Sequence, residues 1–132
     1  MTPEQSFWNY IRPQLLGHVV RVENTLERGM PDVNICYEGL ELWIELKASV
    51  SHEQVKIRKE QRVWAIRRNM EGGKIYVLSL DETGVISLWD WSLGVETETV
   101  DETYQRIITY PHVFVEKKNF SQVITHIYAK KL

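Results

Sequence analysis

The chain has 132 residues, 43% of them hydrophobic and 26% charged, with a formal net charge of −2, the size and composition of one soluble domain with a core of its own. No apolar run approaches the ~20 residues that span a bilayer, and the start, Met1 to Gln5, lacks the basic and apolar stretches of a secretory signal. A lone Cys36 excludes an internal disulfide and a cysteine-based zinc site, so a reducing, cytoplasmic setting with no membrane partner is expected.

Thr2-Pro3-Glu4-Gln5 predicts a helix start, with Thr2 as cap, Pro3 in the first position and Gln5 closing a capping box. Phe7, Trp8, Ile11 and Leu15 recur at helical spacing, and Pro13 ends or kinks the helix early. A strand over residues 18–23, a loop to Met30, and two strands, Asp32 to Tyr37 and Leu40 to Lys47, follow around Glu38-Gly39. Ser51 to Met70 reads as one long helix, opened by a Ser51…Gln54 capping box and stopped by Gly72-Gly73. Strands are expected at Lys74 to Leu80 and Val85 to Trp89 across the turn Asp81 to Gly84. An edge strand over Tyr110 to Lys117 and a closing helix over Phe120 to Lys130 complete the reading. The order predicts an α/β fold in a single domain over residues 1–132, with a central mixed sheet flanked by helices. Its core is expected over about 2–90, with a C-terminal extension over about 91–132.

Charge is segregated along the chain. Lys56, Arg58, Lys59, Arg62, Arg67, Arg68 and Lys74 stand against only Glu60 and Glu71, whereas residues 75–105 contain no Lys or Arg at all. A basic region beside an acidic one fits a polyanion on one side of the molecule, although a solvated basic helix has the same composition. Asn24, Lys56, Arg58, Lys59, Arg62 and Arg68 are the candidate nucleic-acid contacts.

The hairpin carries the chemistry. With the turn centred between Glu38 and Gly39, opposed residues sum to 77. Tyr37/Leu40, Ile35/Leu42 and Val33/Ile44 then share one apolar face, and Cys36/Glu41, Asn34/Trp43 and Asp32/Glu45 share the other. Glu is a poor residue for a tight primed turn, so a four-residue loop with the same centre is an alternative. Opposed Cβ atoms lie ~4.5–5.5 Å apart. Two carboxylates at that distance repel unless one is protonated or a cation sits between them. Hard oxygen donors suit Mg²⁺, with Mn²⁺ as a substitute. Lys47 is two residues beyond Glu45 and points to the same face, where it can position or deprotonate an attacking water. Leu46 points into the core, with its backbone carbonyl a further candidate ligand. A Glu-x-Lys pair alone is more often a surface ion pair; the facing Asp32 is what raises it above that.

Gly29-Met30-Pro31-Asp32, then Glu45-Leu46-Lys47, then Gln61 in the next helix resemble the PD-(D/E)XK nuclease superfamily. Within it the likeness is to the VRR-NUC and archaeal-type Holliday junction resolvase branch, small phage proteins included. It covers roughly Thr2 to Leu80. The resemblance implies a restriction-endonuclease-like fold and Mg²⁺-dependent cleavage of DNA phosphodiesters in a bacterial or phage-infected cell. By the same resemblance, Asp32 and Glu45 are metal ligands, Lys47 is the catalytic lysine, and Gln61 holds substrate, water or the site's geometry. Glu4, in the first helix, takes the place of a further acid often found there, and Glu23 is its rival. Branched DNA as substrate and a homodimer with two active sites follow from the family alone. A non-cleaving binding module of the same fold, or a sequence-specific restriction-type enzyme, are the alternatives. The four histidines lack metal-ligand spacing. Of the five tryptophans, Trp43 stands out because the register puts it on the face of Asp32 and Glu45.

Overall fold

Helix α1 (Pro3–Ile11) starts as its sequence dictates: the Gln5 N–H donates to Thr2 Oγ1 and the Thr2 N–H to Gln5 Oε1, at 3.1 and 2.8 Å. Pro13 stops it, and Arg12–Gln14 tighten into a 3₁₀ turn. In this computed structural model residues 1–22, 29–50, 55–91, 98–100, 106–108 and 113–129 are described.

Strands β1 (His18–Arg21), β2 (Val33–Tyr37) and β3 (Leu40–Val50) form an antiparallel meander. The β2–β3 register is the expected one at every pair, from Val33 opposite Ile44 to Tyr37 opposite Leu40. The turn is the tight form after all, with Glu38 at φ 48° and Gly39 at φ 83°. Both central residues take the left-handed region that a two-residue primed turn requires, so the strand twist overrides the reluctance of Glu.

The long helix expected from Ser51 is corrected. Val55–Ile57 is a strand, β4, and helix α2 runs only from Lys59 to Met70. Val55 and Ile57 are both buried to 1% exposure while Lys56 between them is exposed, a two-residue period that no helix can present. The Ser51…Gln54 capping box lies outside the described residues. Two further short strands that the sequence did not announce, β7 (Glu98–Val100) and β8 (Arg106–Ile108), join β4 in a small sheet of order β4-β8-β7.

The main sheet is mixed, in the order β1-β2-β3-β5-β6-β9, with β5 (Lys74–Asp81) parallel to β3 and β6 (Val85–Asp90) and β9 (Val113–Glu116) antiparallel. As expected, the last strand is an edge and a helix, α3 (Phe120–Ile127), follows it; Pro111 lies outside the described residues. Two apolar layers sandwich the sheet. One joins Phe7 and Ile11 of α1 and Phe120, Val123 and Ile127 of α3 to the hairpin's apolar face. The other joins Trp64 and Ala65 of α2 and Val55 and Ile57 of β4 to Trp43, Val77 and Trp89. Strand β3 lies between these layers, so Glu45 on it is a carboxylic acid only 7% exposed. No helix among the described residues is long and apolar enough to cross a membrane.

Candidate active site

Asp32 lies one residue before β2, where the chain leaves the ladder. Its backbone carbonyl accepts from the Val22 N–H at 2.7 Å, and its Oδ2 accepts from the Leu46 N–H at 2.8 Å. The side chain thus replaces a ladder carbonyl and is fixed against β3 beside Glu45. Leu46 buries its side chain in the core (2% exposed) and offers its N–H, not its side chain, to this side of the site.

Glu45 and Lys47 share the face of β3 covered by α2, and Gln61 joins them. The Gln61 Nε2 donates to Glu45 Oε1 at 2.8 Å, while its Oε1 accepts from Lys47 Nζ and from the Arg58 N–H, each at 3.0 Å. One buried amide (6% exposed) therefore holds the acid, the lysine and the first turn of the helix together. Lys47 Nζ is 3.9 Å from Glu45 Oε1, a looser contact than either makes with Gln61.

The electrostatics follow from burial. Desolvation first, then the charge of Asp32, pushes the Glu45 carboxyl up to about 9. Desolvation likewise lowers the Lys47 ammonium from its usual range, opposed by the charges of Glu45, Asp32 and Glu4. A buried acid held protonated by an adjacent carboxylate is the donor set that a hard divalent cation relieves, since the cation restores both charges. Asp32 and Glu45 fit Mg²⁺ or Mn²⁺ on that ground.

Gly29 positions this cluster. It has φ +85°, and a Cβ there would run into the Glu60 carbonyl and stand 2.8 Å from the Gln61 N. The Gly29-to-Asp32 turn therefore packs backbone to backbone on the helical turn that carries Gln61.

The remaining candidates disperse. Glu4 Oε1 accepts from the Arg21 Nη2 at 2.9 Å, and the Arg21 guanidinium lies 5.4 Å from the Trp8 ring. Its charge reaches Lys47, but among the described residues no group of three His, Cys, Asp or Glu side chains comes together to hold a metal. Glu23 and Asn24 lie outside the described residues. Lys56 stands exposed on β4 rather than on a helix, which corrects its expected place. Arg58 and Lys59 are exposed at the start of α2, and Arg62 buries its Nε without a hydrogen-bond partner among the described residues. Arg68 lies toward the far end of α2, over Trp64 and Trp43. Arg21 was missed by sequence reasoning because its partner Glu4 is 17 residues away, on another element.

No protein-family model matches the chain, and no curated protein sequence matches it. Among solved structures it is similar to Hjc, a Holliday junction resolvase from the archaeal hyperthermophile Archaeoglobus fulgidus. The TM-score is 0.57 at 14% identity, over 89% of this chain and 99% of that one. The shared architecture is the mixed six-stranded sheet flanked by helices described above. At that identity the likeness establishes architecture alone.

Proposed function

We propose that this chain is a divalent-metal-dependent nuclease that hydrolyses DNA phosphodiesters, acting on branched or otherwise structured DNA. The observation that carries this is the buried Glu45, beside the half-buried Asp32 and clamped to Lys47 through Gln61. Desolvated beside Asp32, Glu45 ionises readily only when a cation meets the pair, and a lysine with a lowered pKa beside them is poised for proton transfer.

Asp32 and Glu45 would hold the ion, which supplies charge stabilisation at a phosphoryl oxygen and acidity to a water. Gln61 keeps the Lys47 ammonium on the site's side of β3 and orients Glu45. Because burial lowers the Lys47 pKa, a larger fraction is neutral near pH 7, where it can take a proton from the attacking water. In its charged form the same group offsets negative charge developing at phosphorus. Arg58 and Lys59, at the helix end nearest this cluster, suit phosphate contacts. Restriction to branched DNA rests on the likeness to the resolvase, as does a homodimer, since symmetric cutting needs two sites.

The test uses labelled four-way junctions, nicked and plain duplexes with Mg²⁺ or Mn²⁺. Cleavage should require the metal and should fall by at least ~10²-fold in Asp32→Asn and in Lys47→Ala, with folding and metal-free DNA binding retained. Binding without cleavage on every substrate and in both metals would overturn the reading in favour of a non-cleaving module.

A further inference from the structure

A second feature lies toward the other end of α2. A cleft of about 1300 Å³ opens between the flank of this helix and the tip of the β2–β3 hairpin. Trp43 and Trp64 line it, edge to face with ring centroids 5.3 Å apart. The Arg68 guanidinium covers both, 4.7 Å from the Trp64 ring and 5.7 Å from the Trp43 ring. The arginine is pinned from below as well: a Cβ on Gly73 would stand 2.5 Å from Arg68 Cγ and 2.7 Å from its Cδ, so the stem lies directly on the glycine backbone.

Part of the positive charge lining this cleft has no counter-ion among the described residues. Arg67, Arg68 and Lys74 have no carboxylate within ion-pair distance among the described residues, although Glu41, Glu60 and Glu71 line the same cleft. The Trp43 Nε1, in a side chain only 8% exposed, has no hydrogen-bond acceptor among the described residues. Val63 and Met70, apolar and 44% and 79% exposed, stand along it. Unpaired cations call for an anion, whereas exposed apolar groups and a flat cation backed by indoles call for planar rings. Unpaired nucleotides carry both. A base can stack on the outer face of Arg68, with Arg67 and Lys74 on flanking phosphates. A duplex hides its base faces and gains nothing from such a plane.

We propose that this cleft binds a single-stranded segment of nucleic acid, with Arg68 as the stacking platform. Resting on the nuclease reading, the consequence is a substrate with unpaired nucleotides beside the cut. Lys59 and Glu60, in the first turn of α2 beside Gln61, line the same cleft as Arg68, so it runs along the helix flank from the end nearest the carboxylates.

The test is fluorescence anisotropy with a short labelled oligo(dT) and a duplex of equal length, in chelator without metal, so that no cleavage is involved. Oligo(dT) should bind more tightly than duplex, quench tryptophan fluorescence, and compete better than an abasic oligonucleotide. Arg68→Ala and Arg68→Lys should both weaken it by about tenfold, the lysine failing because it keeps charge without a plane. Thermal melts confirm that the variants fold, and Lys118→Ala, far along the chain on an exposed turn, should bind as the parent does. If Arg68→Lys binds oligo(dT) like the parent, or if duplex and oligo(dT) bind alike, the cleft is a charge patch and the proposal fails. Absence of cleavage with Arg68-dependent binding intact would sink the nuclease reading alone.

Discussion

At the scale of single residues, the decisive fact is that Glu45 lies on a strand buried on both faces. Its carboxyl is pushed up to about 9 from an ordinary 4.5. Below pH 4.5 the group is protonated in folded and unfolded chains alike, so its stabilising contribution is fully present. Between 4.5 and 9 only the folded chain holds the proton, and stability falls as pH rises through that window. Lys47, shifted downward, acts with the opposite sign, so the comparison must be with a variant that changes Glu45 alone. The melting temperature of metal-free protein should therefore decline from about pH 5 to about pH 9 more steeply than that of Glu45→Gln. Mg²⁺ should raise the melting temperature of the parent at the alkaline end and leave Glu45→Gln nearly unmoved. Parallel pH curves for the two metal-free proteins would show that Glu45 holds its proton no more tightly in the folded chain than in the unfolded one.

At the scale of elements, the site depends on how the turn before β2 meets the start of α2. Gly29 makes that contact with its backbone, and the Gln61 amide reaches β3 only because the helix lies that close. Gly29→Ala both strains a residue at φ +85° and drives a methyl group into the Glu60 carbonyl. A loss of about 1–3 kcal/mol is expected, measured by urea unfolding, and the folded variant should bind Mn²⁺ more weakly in calorimetry. Unchanged stability and metal binding would mean that the turn and helix are not coupled. Part of this was legible beforehand. The hairpin pairing followed from the alternation of Val33, Ile35, Leu42 and Ile44, because a one-residue slip would bury Asn34 and expose the core. The start of α2 was not legible, because a Ser51…Gln54 cap is a local signal and the burial of Val55 and Ile57 is a tertiary one.

At the scale of the whole molecule, the last described residues are part of the fold's interior. Phe120, Val123, Ile127 and Tyr128 pack in the same layer as α1. The Tyr128 hydroxyl donates to the Leu16 carbonyl and accepts from the Leu16 N–H, both at 2.9 Å, tying the exit of α1 to residues 112 positions away. Tyr128→Phe leaves both backbone groups without their partner and should cost about 1–3 kcal/mol in chemical denaturation, with DNA binding of the folded protein unaltered. A change below a few tenths of a kcal/mol would mean that water replaces the hydroxyl.

Sequence alone determined the hairpin, its register and the two residues, Asp32 and Glu45, that meet across its end, because a two-residue side-chain period leaves one way to bury its apolar set. It also located Lys47 and Gln61 as companions. Only tertiary structure decided that these four come together around a buried Glu45 and Gln61 and that Glu4 is held by Arg21. It likewise placed Lys56 on a strand and gathered Arg67, Arg68 and Lys74 around a tryptophan pair. Such arrangements depend on elements distant in sequence packing against one another, and burial of that kind leaves no periodic trace in the residues themselves.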